Sequence, residues 1–400
     1  MSLRQDHQVV VVGGGTAGIS VAARLCKQLP AGAVAIVDPA QKHYYQPLWT
    51  LVGGGVCRRE DSERDQASVI PARASWVKEA AASFDPEART VTLRGGGTLG
   101  YKVLVLCPGI QLDWVKVEGL AGNVGKHGIC SNYAYDTVGQ TWPVIQGVRS
   151  GAALFTHPNT PIKCGGAPQK IMYLAESTFR RRGVREAVDV QFWSGQPDSF
   201  TVPHYARKLD ALMERRRITP FYMWNLVAVR LEERVAVFES LAGDTKGQRK
   251  DVPYAMLHVT PPMSAPEFIR GSPFAGAGGW IDVDKHTMRH VKYADVFGLG
   301  DASSLPTSKT GAAIRKQAPA CAQNVLATLA GRQPEARYDG YTSCPIVTDY
   351  GKLILAEFDY DKKLCETFWF DQSKERRSMY LLKKHVLPRL YWQGMLKGRA

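Results

Sequence analysis

Four hundred residues, 44% of them hydrophobic, suffice for a large core and predict two to three domains. No run of about 18 apolar residues occurs, which excludes a spanning helix. The eight cysteines show no CxxC and no regular spacing, which excludes a zinc site and a disulfide-stapled secreted scaffold, and the formal net charge of +14 suits an anionic surface, nucleic acid or acidic lipid.

In chain order, Gln8–Val12 is a β-branched run that ends in glycines. No secretory or transit segment is read ahead of it. The periodic segment Ile19–Leu29 predicts an amphipathic helix, and Ala33–Val37 a second buried strand ending in Asp38. Between the first strand and the helix stand Gly13, Gly15, Thr16, Ala17 and Gly18. The first glycine permits the tight turn, the second lets backbone approach a pyrophosphate, and the third lets helix pack on strand. Asp38, 20 residues after Gly18, suits the ribose hydroxyls. Val296–Asp301 closes the second half of the same signature, and together the two halves point to FAD.

His43–Trp49 is read as an aromatic loop and Ser75–Ala81 as a short strand, while Thr90–Leu93 and Thr98–Tyr101 flank a glycine turn as a hairpin. The run Tyr101–Cys107 is a buried strand, with Cys26 and Cys107 as core residues. A second βαβ unit opens at Ala152–Thr156, continues in a helix started by Pro168 and running through Ile171–Arg181, and returns at Ala187–Trp193. Where a nicotinamide-gripping glycine loop belongs, this unit carries Cys164, just before the helix and beside Lys163. Both features lower a thiol pKa, so the cysteine points to a sulfur compound as electron donor. Phe221–Glu232, Arg234–Phe238, Tyr254–Thr260 and Gly279–Val283 are later strands, and a helix directed at the cofactor opens after Pro306–Ala313. Tyr341–Pro345, with Cys344, precedes a strand over Lys352–Asp359. Residues 371–400 carry eight Lys/Arg against two acids, interleaved with Met379, Leu382, Val386, Leu390, Tyr391 and Trp392. Such a stretch lies on a membrane surface without crossing it, and Pro388 kinks any continuous helix there.

The phrases Tyr45–Gly53, Pro158–Met172, Leu257–Ser264, Leu305–Lys309, Tyr338–Pro345 and Phe370–Tyr380 resemble sulfide:quinone oxidoreductases of the mitochondrial, animal-type class, over nearly all of Gln8–Gly398. The resemblance implies that Cys164 and Cys344 are the redox pair and that Thr16, Ala17, Asp38, Gln46 and Ala81 contact FAD. It further implies that Asp301, Lys309 and Ile346 lie near the isoalloxazine. The fold expected is α/β: two Rossmann-like domains in tandem with a C-terminal membrane-associated helical region. Residues 1–150 and 281–335 would form the FAD domain, 151–280 the second domain, and 336–400 the C-terminal region. Expected partners are hydrogen sulfide, a quinone, a small sulfur acceptor of the glutathione, sulfite or coenzyme A class, and a membrane surface, with no nucleic acid and no metal. The membrane would be the mitochondrial inner membrane, or a plasma membrane if bacterial. Three rivals stay open: a type II NADH:quinone reductase, the flavin subunit of a flavocytochrome-type sulfide dehydrogenase, and a flavin-bound membrane assembly protein without turnover.

Overall fold

The structure, a computed structural model, describes residues 4–400. Its first sheet orders the strands Ser75–Val77, Val34–Val37, Arg4–Val12, Thr98–Leu106, Thr90–Leu93 and Ala81–Asp85, and Val296–Gly298 joins as a seventh on Thr98–Leu106. The pairings at the centre are parallel. That arrangement buries both faces of the middle strands, so Val9 to Val11 and Leu104 to Leu106 are fully inaccessible. Residues 98–106 are long enough for two jobs: the first half pairs antiparallel with Thr90–Leu93 and the second parallel with Val296–Gly298. The chain that leaves for the second domain therefore returns beside the strand it left.

The second sheet is wholly parallel, in the order Ile129–Cys130, Met256–His258, Gly151–His157, Val188–Ser194 and Thr219–Tyr222. Its helix Ala167–Arg181 is buried along nearly all of one face and beyond. The last sheet is the hairpin of Thr342–Asp349 with Lys352–Phe358. The molecule is mixed α/β, with two dinucleotide-type folds in tandem.

Several boundaries differ from the expectation, each for a local reason. Ser75–Ala81 is two strands, Ser75–Val77 and Ala81–Asp85, because the chain leaves the parallel edge and re-enters through Arg94 N–H on the Ala80 carbonyl. Phe221–Glu232 divides at Met223, whose φ of 59° turns the chain into an antiparallel three-stranded sheet. Gly279–Val283 makes only isolated bridges, through Ile281 to Ala275 and Ser303 and through Val283 to His290. The loop His43–Trp49 contains the end of a short strand and a single helical turn. Cys344 lies within a strand, not before one. In the C-terminal region the backbone stays helical through Pro388: π-type turns at Leu382–Val386 and Leu390–Gly394 flank it. Widening the turn relieves the proline ring's clash and its missing N–H, so the segment bends around the first domain without ending.

Candidate active site

The second βαβ unit sets one cysteine, and the C-terminal hairpin the other. Cys164 closes the loop after Gly151–His157 and adopts φ 58°, a left-handed conformation that costs a side chain about 1 kcal/mol or more. Two backbone bonds hold it there: its N–H donates 2.9 Å to the Lys309 carbonyl, and its carbonyl accepts from Ala167 N–H at 2.9 Å. Cys344 reaches in from the strand Thr342–Asp349, and the two sulfurs stand 3.7 Å apart across 180 residues. Gly166 makes that approach possible, because a Cβ there would meet the Cys344 sulfur at 2.5 Å. This glycine was not singled out in the sequence; its only signal is its place two residues after Cys164.

The cation facing the pair also escaped the sequence. Lys163 turns away, donating 2.8 Å to Gln46 Oε1 and lying over the Trp49 ring. Lys170, buried one turn into the helix, donates instead to Cys164 Sγ at 3.1 Å. Cys344 S–H donates to Cys164, and this bond with the Lys170 ammonium holds Cys164 far below the usual thiol range, against the cost of burial. Cys344 is raised by the same bond and by burial. Burial alone would lower Lys170, but the Cys164 charge raises it on balance. One thiolate and one thiol therefore share a site with a fixed ammonium. A second lysine, Lys383, is buried and donates 3.0 Å to the Pro47 carbonyl; burial, then the neighbouring Lys170, lowers it to about 7. The expectation had set residues 371–400, Lys383 among them, on a membrane surface, and the structure turns this lysine inward.

Cys164, Lys170 and Lys383 open on a cavity of about 370 Å³ that extends past Gln46, Asp301 and Lys309 to Thr16. The helix Gly311–Leu329 starts on its wall, capped by the Thr310 hydroxyl accepting from Ala313 N–H at 3.0 Å. Lys309 donates 3.0 Å to the Ser303 carbonyl and lies over Trp280; desolvation lowers it to about 8. Burial raises the Asp301 carboxyl, against the pull of Lys309 and Lys163. At the far end, Gly13 and Gly18 are forced by close backbone: a Cβ would meet the Cys107 carbonyl oxygen at 2.4 Å and the Gly13 carbonyl oxygen at 1.8 Å. Gly15, the residue before the helix Thr16–Leu25, faces open space, as a loop that receives a phosphate must. Ala17 is buried beneath it. The carboxylate of Asp38 accepts from the N–H groups of Gly14 and Ala40, and burial raises its pKa. Ala81 and Ile346 are buried outside the cavity lining, Ala81 at a strand start and Ile346 behind Cys344. The glycine cradle, the half-buried Asp38 and the helix N-terminus fit a flavin dinucleotide.

A dinucleotide-binding fold with a cysteine pair, of which Cys164 opens on the cavity, defines a disulfide oxidoreductase of the two-dinucleotide-domain class. Comparison narrows the class. The pyridine nucleotide-disulphide oxidoreductase family matches residues 7–138. The mitochondrial sulfide:quinone oxidoreductase of Mus musculus is 45% identical over 395 residues, spanning 99% of this chain and 87% of that protein. Two solved structures share the fold at 19% identity. One is the sulfide:quinone oxidoreductase of Aquifex aeolicus (TM-score 0.81, 98% and 92% of the two chains), the other a chain of the Tetrahymena thermophila mitochondrial ATP synthase (TM-score 0.86, 99% and 97%). The chain belongs to the sulfide:quinone oxidoreductase family, and it is a flavin-dependent oxidoreductase.

Proposed function

We propose that the chain oxidises hydrogen sulfide at Cys344 and Cys164 and delivers the electrons through FAD to a membrane quinone. The observation that carries this reading is the Lys170–Cys164–Cys344 array at the wall of the dinucleotide cavity. In the oxidised pair the two sulfurs are bonded. Hydrosulfide attacks Cys344, forming a new S–S bond as the Cys164–Cys344 bond breaks. Cys164 leaves as a thiolate, the species that Lys170 stabilises. A small nucleophile of the glutathione, sulfite or coenzyme A class then takes the outer sulfur from Cys344 and leaves a thiol. The two cysteines re-form their bond, releasing two electrons. FAD, when bound, would accept that pair and pass it on to quinone. Lys309 and the N-terminus of Gly311–Leu329 supply the positive field that favours the electron-rich cofactor. A trisulfide in place of the disulfide would serve the same cycle with one more sulfur.

The residues that hold the cofactor in this reading are Gly13, Gly15, Thr16, Ala17, Gly18, Asp38, Gln46, Ala81, Asp301, Lys309 and Ile346. Residues 1–150 and 281–335 form the flavin part, 151–280 brings Cys164, and 336–400 brings Cys344 and the helices that rest on the mitochondrial inner membrane. No helix among the described residues is long and apolar enough to cross a membrane, which suits a peripheral enzyme. The deciding assay is decylubiquinone reduction with sulfide against NADH. Sulfide-dependent turnover is expected; reduction by NADH alone would replace this reading with the type II dehydrogenase.

A further inference from the structure

The aromatic pair His43 and Tyr391 is buried, and the chemistry above makes no use of it. Tyr391 comes from the C-terminal segment, yet its hydroxyl lies 2.9 Å from Thr16 Oγ1 and 2.5 Å from His43 Nε2. On the other side of the imidazole, Nδ1 stands 3.2 Å from both the Gly14 carbonyl and Gln66 Oε1. Gln66 donates its own amide to that same carbonyl at 2.8 Å.

Proton directions follow from the partners. Both groups at Nδ1 are acceptors, so Nδ1 carries the hydrogen and Nε2 accepts. Tyr391 O–H must then donate to Nε2, and its oxygen accepts from the Thr16 hydroxyl. Burial keeps His43 neutral, with a pKa lowered to about 4, so this tautomer persists at neutral pH. The result is a directed chain from Thr16 through Tyr391 and His43 to the Gly14 carbonyl. It bridges the glycine loop across Gly15, the residue whose Cα faces open space. The Thr16 hydroxyl spends its only proton on Tyr391.

We infer that Tyr391 and His43 are positioning residues for the flavin dinucleotide, clamping the Gly14–Thr16 turn so that the N–H groups of Gly15 and Thr16 are pre-set for the phosphates. The inference rests on the reading of Gly13–Gly18 as the dinucleotide loop. It makes the C-terminal segment a wall of the cofactor site as well as a surface element. The rest of the segment is seated to do so: Tyr391 packs on Tyr45 with centroids 4.5 Å apart, and Lys27 Nζ donates 2.6 Å to the Gly398 carbonyl.

The test is flavin release from the purified holoenzyme, followed by the fluorescence of freed flavin, alongside thermal unfolding. Tyr391→Phe, which removes the buried bonds to Thr16 and His43, is expected to release flavin about five- to tenfold faster. Thr16→Val, which removes only the first of these bonds, should accelerate release in the same direction, Thr16→Ser should restore slow release, and the double variant Thr16→Val/Tyr391→Phe should be no worse than Tyr391→Phe alone, because the Thr16 bond is already lost with the Tyr391 hydroxyl. Tyr380→Phe, on the same segment, should release flavin at the parent rate. Additive effects in the double variant would mean that the Thr16 hydroxyl serves the cofactor directly, and would overturn the clamp. So would an equal acceleration in Tyr380→Phe. Asp38→Ala separates the two layers of the argument. If it weakens flavin binding while Tyr391→Phe does not, only the clamp is wrong; if Asp38→Ala leaves binding unchanged, the loop reading fails as well.

Discussion

At the scale of single residues, the proposed chemistry depends on three side chains and one missing one. Cys164→Ser and Cys344→Ser should keep the yellow flavin and lose sulfide-dependent quinone reduction by about a thousandfold or more. Near-parental turnover in either would sink the relay. Lys170 makes a sharper claim. It is the cation beside the Cys164 sulfur, and removing it takes away a charge that favours the thiolate. The Cys164 thiol of Lys170→Gln should therefore titrate higher than in the parent, since losing an opposite charge raises an acid's pKa. Iodoacetamide alkylation of the reduced enzyme across pH reads this directly, and an unmoved midpoint would show that the Cys344 hydrogen bond suffices alone. Gly166→Ala sets a methyl group 2.5 Å from the Cys344 sulfur. It should hinder closure of the cysteine pair, seen as slower flavin reduction by sulfide with flavin content unchanged; parental kinetics would mean that the hairpin shifts freely.

Individual elements explain what could be read from sequence and what could not. The Rossmann-like openings were legible because continuous apolar runs and a helical pattern meet at glycines there, and Arg4–Val12, Thr16–Leu25 and Val34–Val37 stand where Gln8–Val12, Ile19–Leu29 and Ala33–Val37 were expected. The helix after Cys164 was legible from Pro168. Lys170 was not, because a lysine in a helix reads as solvated until a partner from elsewhere in the fold is known. Lys163 looked equivalent by adjacency, but a backbone bridge between residues 163 and 309 turns its side chain to Gln46. The loop after Gly151–His157 carries a further prediction. It carries Cys164 in place of a glycine-rich phosphate turn, and Gly195 packs on it so closely that a Cβ there would meet Asn159 N at 2.7 Å. Millimolar NADH should leave the flavin oxidised in a stopped-flow trace, and bleaching within seconds would contradict that packing argument.

At the scale of the molecule, charge and apolar exposure have to be reconciled with a C-terminal segment that is itself half buried. Residues 371–400 were expected to lie on a membrane with their basic side chains outward, yet Met379, Tyr380, Lys383, Tyr391, Met395 and Leu396 face the protein. What remains for a membrane is narrower: Trp369 is 96% exposed, Val386 51% and Leu381 45%, with Lys374, Arg377 and Arg389 also exposed. Phe368, Leu382, Val386 and Leu387 line the cavity that reaches Cys164, so in the proposed reading a quinone held in the acyl boundary would enter there. Truncating the segment would remove Tyr391 and confuse docking with cofactor loss; surface substitutions avoid that. Trp369→Ser/Leu381→Ser should weaken binding to anionic vesicles about tenfold, since each change removes apolar surface from the lipid boundary. Neither residue lines the cavity, so sulfide should still bleach the flavin at the parental rate and a water-soluble short-chain quinone should still be reduced, while long-chain quinone in vesicles is reduced more slowly. Raising the salt should weaken vesicle binding of the parent as well, because the basic rim acts through screened charge. Unchanged vesicle binding by the double variant would move the membrane contact away from this face.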